Sequence, residues 1–205
     1  NKNAIKIIAE ATDSHVQAYF SYDSKKSGGL TVSHLRFGPE PIRSPYLIDR
    51  ADFVACHNPA FVNTVDMAGS LREGGVFLLN CPWTEETLDA HLPPQMKRLL
   101  AQRRARLFLI DADAIAQQAG MGCRINTVMQ AAFFRLSGVM DYSRAEPLMK
   151  EFVRKTYGKK GEEVVRKNLE AIDLAVGALR EAQVPQAWLD AQEEETQPDH
   201  SYVAQ

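Results

Sequence analysis

The chain opens on an amphipathic pattern in which Ile5, Ile8 and Ala9 are spaced to share one helix face. Ala18 to Tyr22 then reads as a short strand and Leu30 to Phe37 as a second, both rich in aromatic, β-branched and apolar residues. Between them, Asp23-Ser24-Lys25-Lys26-Ser27-Gly28-Gly29 has the composition of a loop. Phe53 to Cys56, Val76 to Leu79 and Leu107 to Ile110 are short and apolar throughout, the pattern of strands covered on both faces. They are expected side by side as parallel central strands, each connected to the next through a helix. The helix candidates are Phe61 to Leu71, closing at Gly74-Gly75, then Thr84 to His91 with a polar cap at Thr84, then the basic stretch Gln95 to Arg106.

This alternation runs to about residue 115 and predicts an α/β fold: a Rossmann-like, doubly wound, mainly parallel sheet with right-handed crossovers. Beyond it, Ile125 to Leu136, Ala145 to Tyr157 and Glu162 to Ala182 are helical patterns with no strand between them, so a C-terminal helical extension is expected. From Glu193 onward Glu, Gln, Asp and Pro dominate, which divides the chain into a domain over 1–192 and an exposed tail or linker over 193–205.

Composition narrows the function more than the fold. The 205 residues suit one domain, and a formal net charge of −2 supplies no reason for a nucleic acid or a phospholipid surface as partner. No apolar run reaches the ~20 residues that span a bilayer, and the first residues lack a secretory layout, so the chain is read as cytoplasmic. Cys56, Cys81 and Cys123 are odd in number and widely spaced, which argues against a disulfide framework, a zinc site or an iron–sulfur cluster in this chain. A doubly wound domain normally begins with a strand and a Gly-rich turn; the chain starts without Met inside a helical pattern, so those pieces are expected upstream in a longer polypeptide.

The residues that carry candidate chemistry are few. Ser24 to Gly29 combines Lys25 and Lys26 with Ser24, Ser27, Gly28 and Gly29 at a strand end. That mixture suits a phosphate, through mobile positive charge and closely approaching backbone N–H groups, and it equally suits a solvated turn. Asn126 follows Gly120-Met121-Gly122 and reads first as a helix N-cap. Asn168 shares a helix face with Val164, Ala171 and Ala175, so its amide must meet protein or ligand. Cys56-His57-Asn58 and Asn80-Cys81-Pro82 fall at C-terminal strand ends, where open α/β sheets hold ligands. Neighbours on a strand point to opposite faces, so Cys56 and His57 make a poor nucleophilic dyad, and both Cys56 and Cys81 read as small packing residues. Lys97, Arg98, Arg103, Arg104 and Arg106 read as a solvated face, with contact to a partner domain as the sharper alternative. No GxGxxG with a following ribose-binding acid is present, which disfavours an independent dehydrogenase.

In order along the chain, Tyr22-Asp23-Ser24-Lys25-Lys26-Ser27-Gly28-Gly29, Thr31-Val32-Ser33-His34-Leu35-Arg36-Phe37-Gly38 and Ala51-Asp52-Phe53-Val54-Ala55-Cys56-His57-Asn58 closely resemble the third, γ-type domain of the pyruvate:ferredoxin (flavodoxin) oxidoreductase family. The resemblance continues through Gly74-Gly75-Val76-Phe77-Leu78-Leu79-Asn80 and Gly122-Cys123-Arg124-Ile125-Asn126-Thr127-Val128-Met129-Gln130. It implies a parent enzyme that oxidatively decarboxylates pyruvate with coenzyme A to acetyl-CoA and carbon dioxide, reducing ferredoxin or flavodoxin. Thiamine diphosphate and [4Fe–4S] clusters would be bound by other domains or subunits of a homodimeric parent, with no catalytic or metal residue in this chain. By motif, Lys25, Asn126 and Asn168 would contact coenzyme A, with Ser24, Lys26, Ser27, Gly28 and Gly29 as a possible phosphate loop. Cys81 departs from the resemblance, which implies Ser there. The alternative is a non-catalytic structural module that positions the thiamine and cluster domains.

Overall fold

The computed structural model describes residues 2–23, 30–43 and 47–192. The loop 24–29 and the tail 193–205 lie outside the described residues. Strands β1 (His15–Asp23) and β2 (Leu30–Gly38) form an antiparallel hairpin that is a sheet of its own. A second sheet orders β3 (Ala51–Cys56), β4 (Leu71–Asn80), β5 (Arg106–Ile110) and β6 (Arg180–Ala182) side by side. The first three are parallel, in the register Phe53↔Val76 and Phe77↔Leu107, as their unbroken apolar runs predict.

Those runs are apolar at every position because successive residues enter two different cores. Val76, Leu78, Phe108 and Ile110 point toward the layer of α1 (Lys2–Ala11), α4 (Ala112–Gln118), α5 (Asn126–Leu136), α6 (Tyr142–Tyr157) and α7 (Glu162–Ala178). Phe77, Leu79, Leu107 and Leu109 point to the opposite layer, made by α2 (Glu85–His91), α3 (Pro94–Gln102) and short 3₁₀ turns. The result is a three-layer α/β fold in which α5, α6 and α7 are the expected helical extension. Helix α2 starts as its sequence indicates, with the Thr84 N–H donating to Thr87 Oγ1 at 3.1 Å.

Several local expectations yield to longer-range contacts. Helix α1 buries Ala4, Ile7 and Ile8 while Ala9 is exposed, so the inward stripe follows the i, i+3, i+4 series from Ala4. Phe61 to Leu71 is no helix: it holds two 3₁₀ turns, Pro59–Asn63 and Ala68–Ser70, and Leu71 already belongs to β4. Asn58 Oδ1 accepts from the Ala60 N–H and Asp66 Oδ1 from the Gly69 N–H, side-chain bonds that compete with helical ones beside β-branched Val62, Thr64 and Val65. Helix α7 stops at Ala178, short of the expected Ala182, because residues 180–182 cover the β5 edge as antiparallel β6.

The basic stretch also divides. Lys97 pairs with Asp89 at 3.0 Å and lies over the buried Trp188 ring, and Arg98 donates to the Ala191 carbonyl, so these two hold the 3₁₀ segment Gln186–Asp190 against α3 and are no solvated face. Helix α3 ends before the expected Arg106 because Ala105 N–H bonds the Leu100 carbonyl and Arg104 N–H the Ala101 carbonyl, which forces Arg104 to φ 47°. A left-handed non-glycine residue costs about 1–2 kcal/mol, against which glycine loses about 0.5–1 kcal/mol more backbone entropy. The exposed Arg104–Glu73 pair at 3.4 Å adds almost nothing. Arg104→Gly is therefore expected to raise Tm by about 1–3 °C in a thermal melt; a lower Tm would show that the arginine is not strained.

Candidate functional site

The C-terminal ends of β3, β4 and β5 are pinned together by Asn80, which is 1% exposed. Its Oδ1 accepts from the Ala112 N–H at 2.8 Å, and its Nδ2 donates to the His57 carbonyl and to Asp113 Oδ2, both at 2.9 Å. One amide thus ties the turn after β3 to the first turn of α4, whose own cap is Asp111 accepting from Ala114 N–H at 2.9 Å. Both N–H groups of Asn80 and one lone pair of its oxygen are engaged within the protein, so it shapes the strand ends and is not a free pocket wall.

Cys56 and Cys81 are buried in the core on this side, as packing residues. The Cys56 thiol donates to the Asn58 carbonyl at 3.0 Å, and burial pushes its pKa up to about 11. Burial likewise raises the Cys81 thiol. Neither is a thiolate at neutral pH, and His57 turns outward while Cys56 turns in, so no nucleophilic dyad forms. The donor set does not fit an iron–sulfur cluster: two thiols are buried in packing and Cys123 is exposed elsewhere. Among the described residues no group of three or more His, Cys, Asp or Glu stands close enough to hold a metal ion.

A second polar cluster joins α5 to α7. Asn126 is the first residue of α5 and exposed, while Ile125 occupies the cap position, so the expected N-cap role is not observed. The turn through Gly120 (φ 72°) and Gly122 (φ 62°) carries the chain into the helix one residue earlier than the cap reading requires. Thr127, next along, is buried and donates to Asn168 Oδ1 at 2.7 Å. Asn168 Nδ2 in turn donates to the Val164 carbonyl at 2.8 Å. The buried amide expected from the face it shares with Ala171 and Ala175 is therefore present, and it is answered within the protein. The structure brings Asn126 and Asn168 to one helix junction through Thr127; Lys25 lies outside the described residues, as do Ser24, Lys26, Ser27, Gly28 and Gly29.

Sequence reasoning passed over three residues here. Thr127 is one. Lys167 is the second: its side chain packs over Gly120, where an added Cβ would meet Lys167 Cε at 3.0 Å, and its Nζ pairs with Glu163 at 2.7 Å. The Glu163–Lys167 spacing on α7 was a legible signal for that pair. Gln130 is the third, one turn beyond Asn126, with a buried Nε2 that has no hydrogen-bond partner among the described residues; a lone glutamine among Val128, Met129, Ala131 and Ala132 marks it in the sequence. A groove between α6 and α7, lined by Val165, Leu169 and Leu174 together with Arg154 and Glu162, does not extend the cluster, and three of its charges are engaged in ion pairs, Arg166 with Glu170 and Asp173 with Lys150. No helix among the described residues is long and apolar enough to cross a membrane.

A mainly parallel sheet covered on both faces, with polar side chains gathered at its strand ends and helix junctions, defines a doubly wound α/β domain. Residues 1–178 match the family model described as pyruvate ferredoxin/flavodoxin oxidoreductase, and the chain belongs to that family. It is 49% identical over 194 residues to the pyruvate:ferredoxin oxidoreductase of Moorella thermoacetica, covering 95% of this chain and 17% of that protein. It is 46% identical to the pyruvate-flavodoxin oxidoreductase of Enterobacter agglomerans, covering 97% of this chain and 17% of that one. The chain thus spans about a sixth of the length of these relatives. Its fold is similar to that of the pyruvate oxidoreductase subunit PORC of Thermotoga maritima, with a TM-score of 0.68 at 18% identity over 89% of each chain. It also resembles part of a 2-oxoglutarate:ferredoxin oxidoreductase from Magnetococcus marinus, solved with 2-oxoglutarate, coenzyme A and succinyl-CoA bound, at a TM-score of 0.57 and 19% identity, over 93% of this chain and 29% of that one.

Proposed function

We propose that this chain is the coenzyme-A-binding domain of a pyruvate:ferredoxin or pyruvate:flavodoxin oxidoreductase. The parent would convert pyruvate and coenzyme A to acetyl-CoA and carbon dioxide and reduce ferredoxin or flavodoxin, acting in the cytoplasm as a homodimer. Thiamine diphosphate and [4Fe–4S] clusters would supply decarboxylation and electron transfer from other domains or subunits, in keeping with the poor fit of this chain's cysteines to a cluster.

The observation that carries the reading is the Thr127–Asn168 hydrogen bond, which fixes the start of α5 against α7 and leaves Asn126 exposed beside it. Coenzyme A carries most of its charge at the adenosine diphosphate and 3′-phosphate end, and a domain that holds that end needs cations, amides and backbone N–H donors but no catalytic base. Asn126 offers an amide at a helix start, and Lys167, whose Nζ is shared with Glu163, a cation on the same turn of α7 as Asn168's bond to Val164. Lys25, with the loop 24–29, would add a mobile cation. Asn168 would act mainly by positioning, since its oxygen and one of its two N–H groups are engaged within the protein.

The second reading, a structural module that positions the thiamine and cluster domains, is favoured by the bonds that engage Asn80 and Asn168 within the protein. Coenzyme A kinetics of the parent enzyme separate the two. Lys25→Ala should remove a phosphate contact of about 1–3 kcal/mol and raise the KM for coenzyme A roughly 5- to 150-fold. Asn126→Ala should raise it in the same direction, while the pyruvate-dependent step assayed without coenzyme A stays near normal. An unchanged KM in both variants at low salt would sink the coenzyme A reading and leave the structural one.

A further inference from the structure

The large hydrophobic side chains that are exposed among the described residues are Tyr19 (56%), Val32 (38%) and Leu47 (51%). They are not scattered. Directly opposed residues of an antiparallel pair share a face, and the register sets Gln17 against Arg36, Tyr19 against His34, and Ser21 against Val32. Tyr19 and Val32 are therefore on one face of the β1–β2 hairpin. Leu47 joins them because the chain is strapped across that face: Arg36 Nη2 donates to the Leu47 carbonyl at 3.1 Å, and the Ile48 N–H donates to His34 Nδ1 at 3.2 Å.

The other face of the hairpin is accounted for. Val16 and Phe37 pack against the helical core, the Phe37 ring lies 6.2 Å from that of Phe133, and Lys2 Nζ stands 5.6 Å over the Phe20 ring. The hairpin pairs with no other described strand, and a two-stranded ribbon held from one side is marginal in water. Its outward face nevertheless carries all three of the exposed apolar groups, and such clusters mark contact surfaces.

The chemistry of the face selects the kind of partner. His34 accepts a hydrogen bond at Nδ1, which the neutral ring alone can do, and burial together with Arg36 lowers its proton affinity. The Arg36 guanidinium is engaged by Gln17 Oε1 at 2.8 Å as well as by the Leu47 carbonyl. A face whose exposed large side chains are apolar and whose described arginine is already bonded is unsuited to an electron carrier that arrives and leaves by charge complementarity, and it suits a permanent, poorly hydrated contact. The relatives carry about five-sixths of their length outside the part this chain matches, and a segment tethered in that way meets the hairpin at an effective concentration on the order of millimolar.

We propose that the outward face of the β1–β2 hairpin, centred on Tyr19, Val32 and Leu47, is the surface on which this domain docks against another domain of the same oxidoreductase. The proposal rests on the reading of the chain as part of a larger enzyme, but not on the coenzyme A site. The test places the photo-crosslinking residue p-benzoylphenylalanine at position 19 of the full oxidoreductase and maps the irradiated product by mass spectrometry. Cross-links should fall in oxidoreductase sequence outside these 205 residues. Hydrogen exchange in β1 and β2 of the same enzyme should rise at least about tenfold in a Tyr19→Glu/Val32→Glu variant, because the covering contact is lost. Cross-links only to a second copy of this hairpin, only to ferredoxin or flavodoxin, or to nothing would overturn the proposal. So would unchanged exchange in the double variant. Neither outcome touches the KM for coenzyme A, so a failure here is distinct from a failure of the Asn126 and Lys25 test.

Discussion

Asn80→Leu is expected to lower stability by about 3 kcal/mol, and Tm by about 6–12 °C, although it replaces one side chain with another of similar size. The loss comes from the groups left behind. The Ala112 N–H is buried and has Asn80 Oδ1 as its acceptor, and a buried donor without a partner costs about 1–3 kcal/mol. The His57 carbonyl loses a donor at the strand end, and Asp113, which is exposed, recovers part of its loss through water. Asn80→Asp separates these contributions. It keeps an acceptor for Ala112 but sets a carboxylate beside Asp113 and the His57 carbonyl in a buried position, so the introduced acid has a raised pKa when folded. A carboxyl whose folded pKa is raised binds more protons in the folded state, so its penalty is smallest below the unfolded value of about 3.9 and grows as pH rises above it. The Asp variant should therefore approach the parent protein in melts near pH 4 and fall further below it at pH 7. A Tm for Asn80→Leu within about 2 °C of the unaltered protein would show that water replaces the amide and that the strand ends are looser than their hydrogen bonds indicate.

Asn168→Ala should cost about 2 kcal/mol, because the Thr127 hydroxyl is buried and loses the oxygen that accepts its proton at 2.7 Å. Removing both polar groups leaves nothing unsatisfied. Thr127→Val/Asn168→Leu should consequently lose less than the sum of the two single variants, with a coupling of about 1 kcal/mol in a denaturant cycle. Strict additivity would mean that the two side chains do not act as a unit. The same pair bears on the site: Thr127 precedes nothing catalytic but follows Asn126 directly, so a looser α5–α7 junction moves the amide proposed to meet coenzyme A. Thr127→Val in the parent enzyme should raise the KM for coenzyme A less than Asn126→Ala does, since it perturbs the position of the amide and leaves the amide itself in place.

What could be read from the sequence alone was whatever depends on local periodicity or on long quoted runs. Phe53 to Cys56, Val76 to Leu79 and Leu107 to Ile110 were legible as buried parallel strands because a strand covered on both faces must be apolar at every position, and no other element here has that pattern in so short a span. Helix α2 was legible from its cap, α5 and α6 from the spacing of their apolar residues, and the family from runs such as Arg124-Ile125-Asn126-Thr127. Tertiary structure decided the rest. Residues 180–182 continue a helical pattern, yet the open edge of β5 claims them, and Phe61 to Leu71 is drawn out of helix by the bonds of Asn58 and Asp66 and by Leu71 entering β4. Asn80 reads as a strand-end polar residue until its partners are known, 23 to 33 positions away, and Asn168 until Thr127 meets it from 41 positions away. The same holds for Tyr19, Val32 and Leu47, three separate apolar residues in the sequence that become one patch when the hairpin closes and the strap crosses it. Periodicity states how many faces a segment buries, but a hydrogen bond or a patch between distant segments depends on which elements the whole fold brings together.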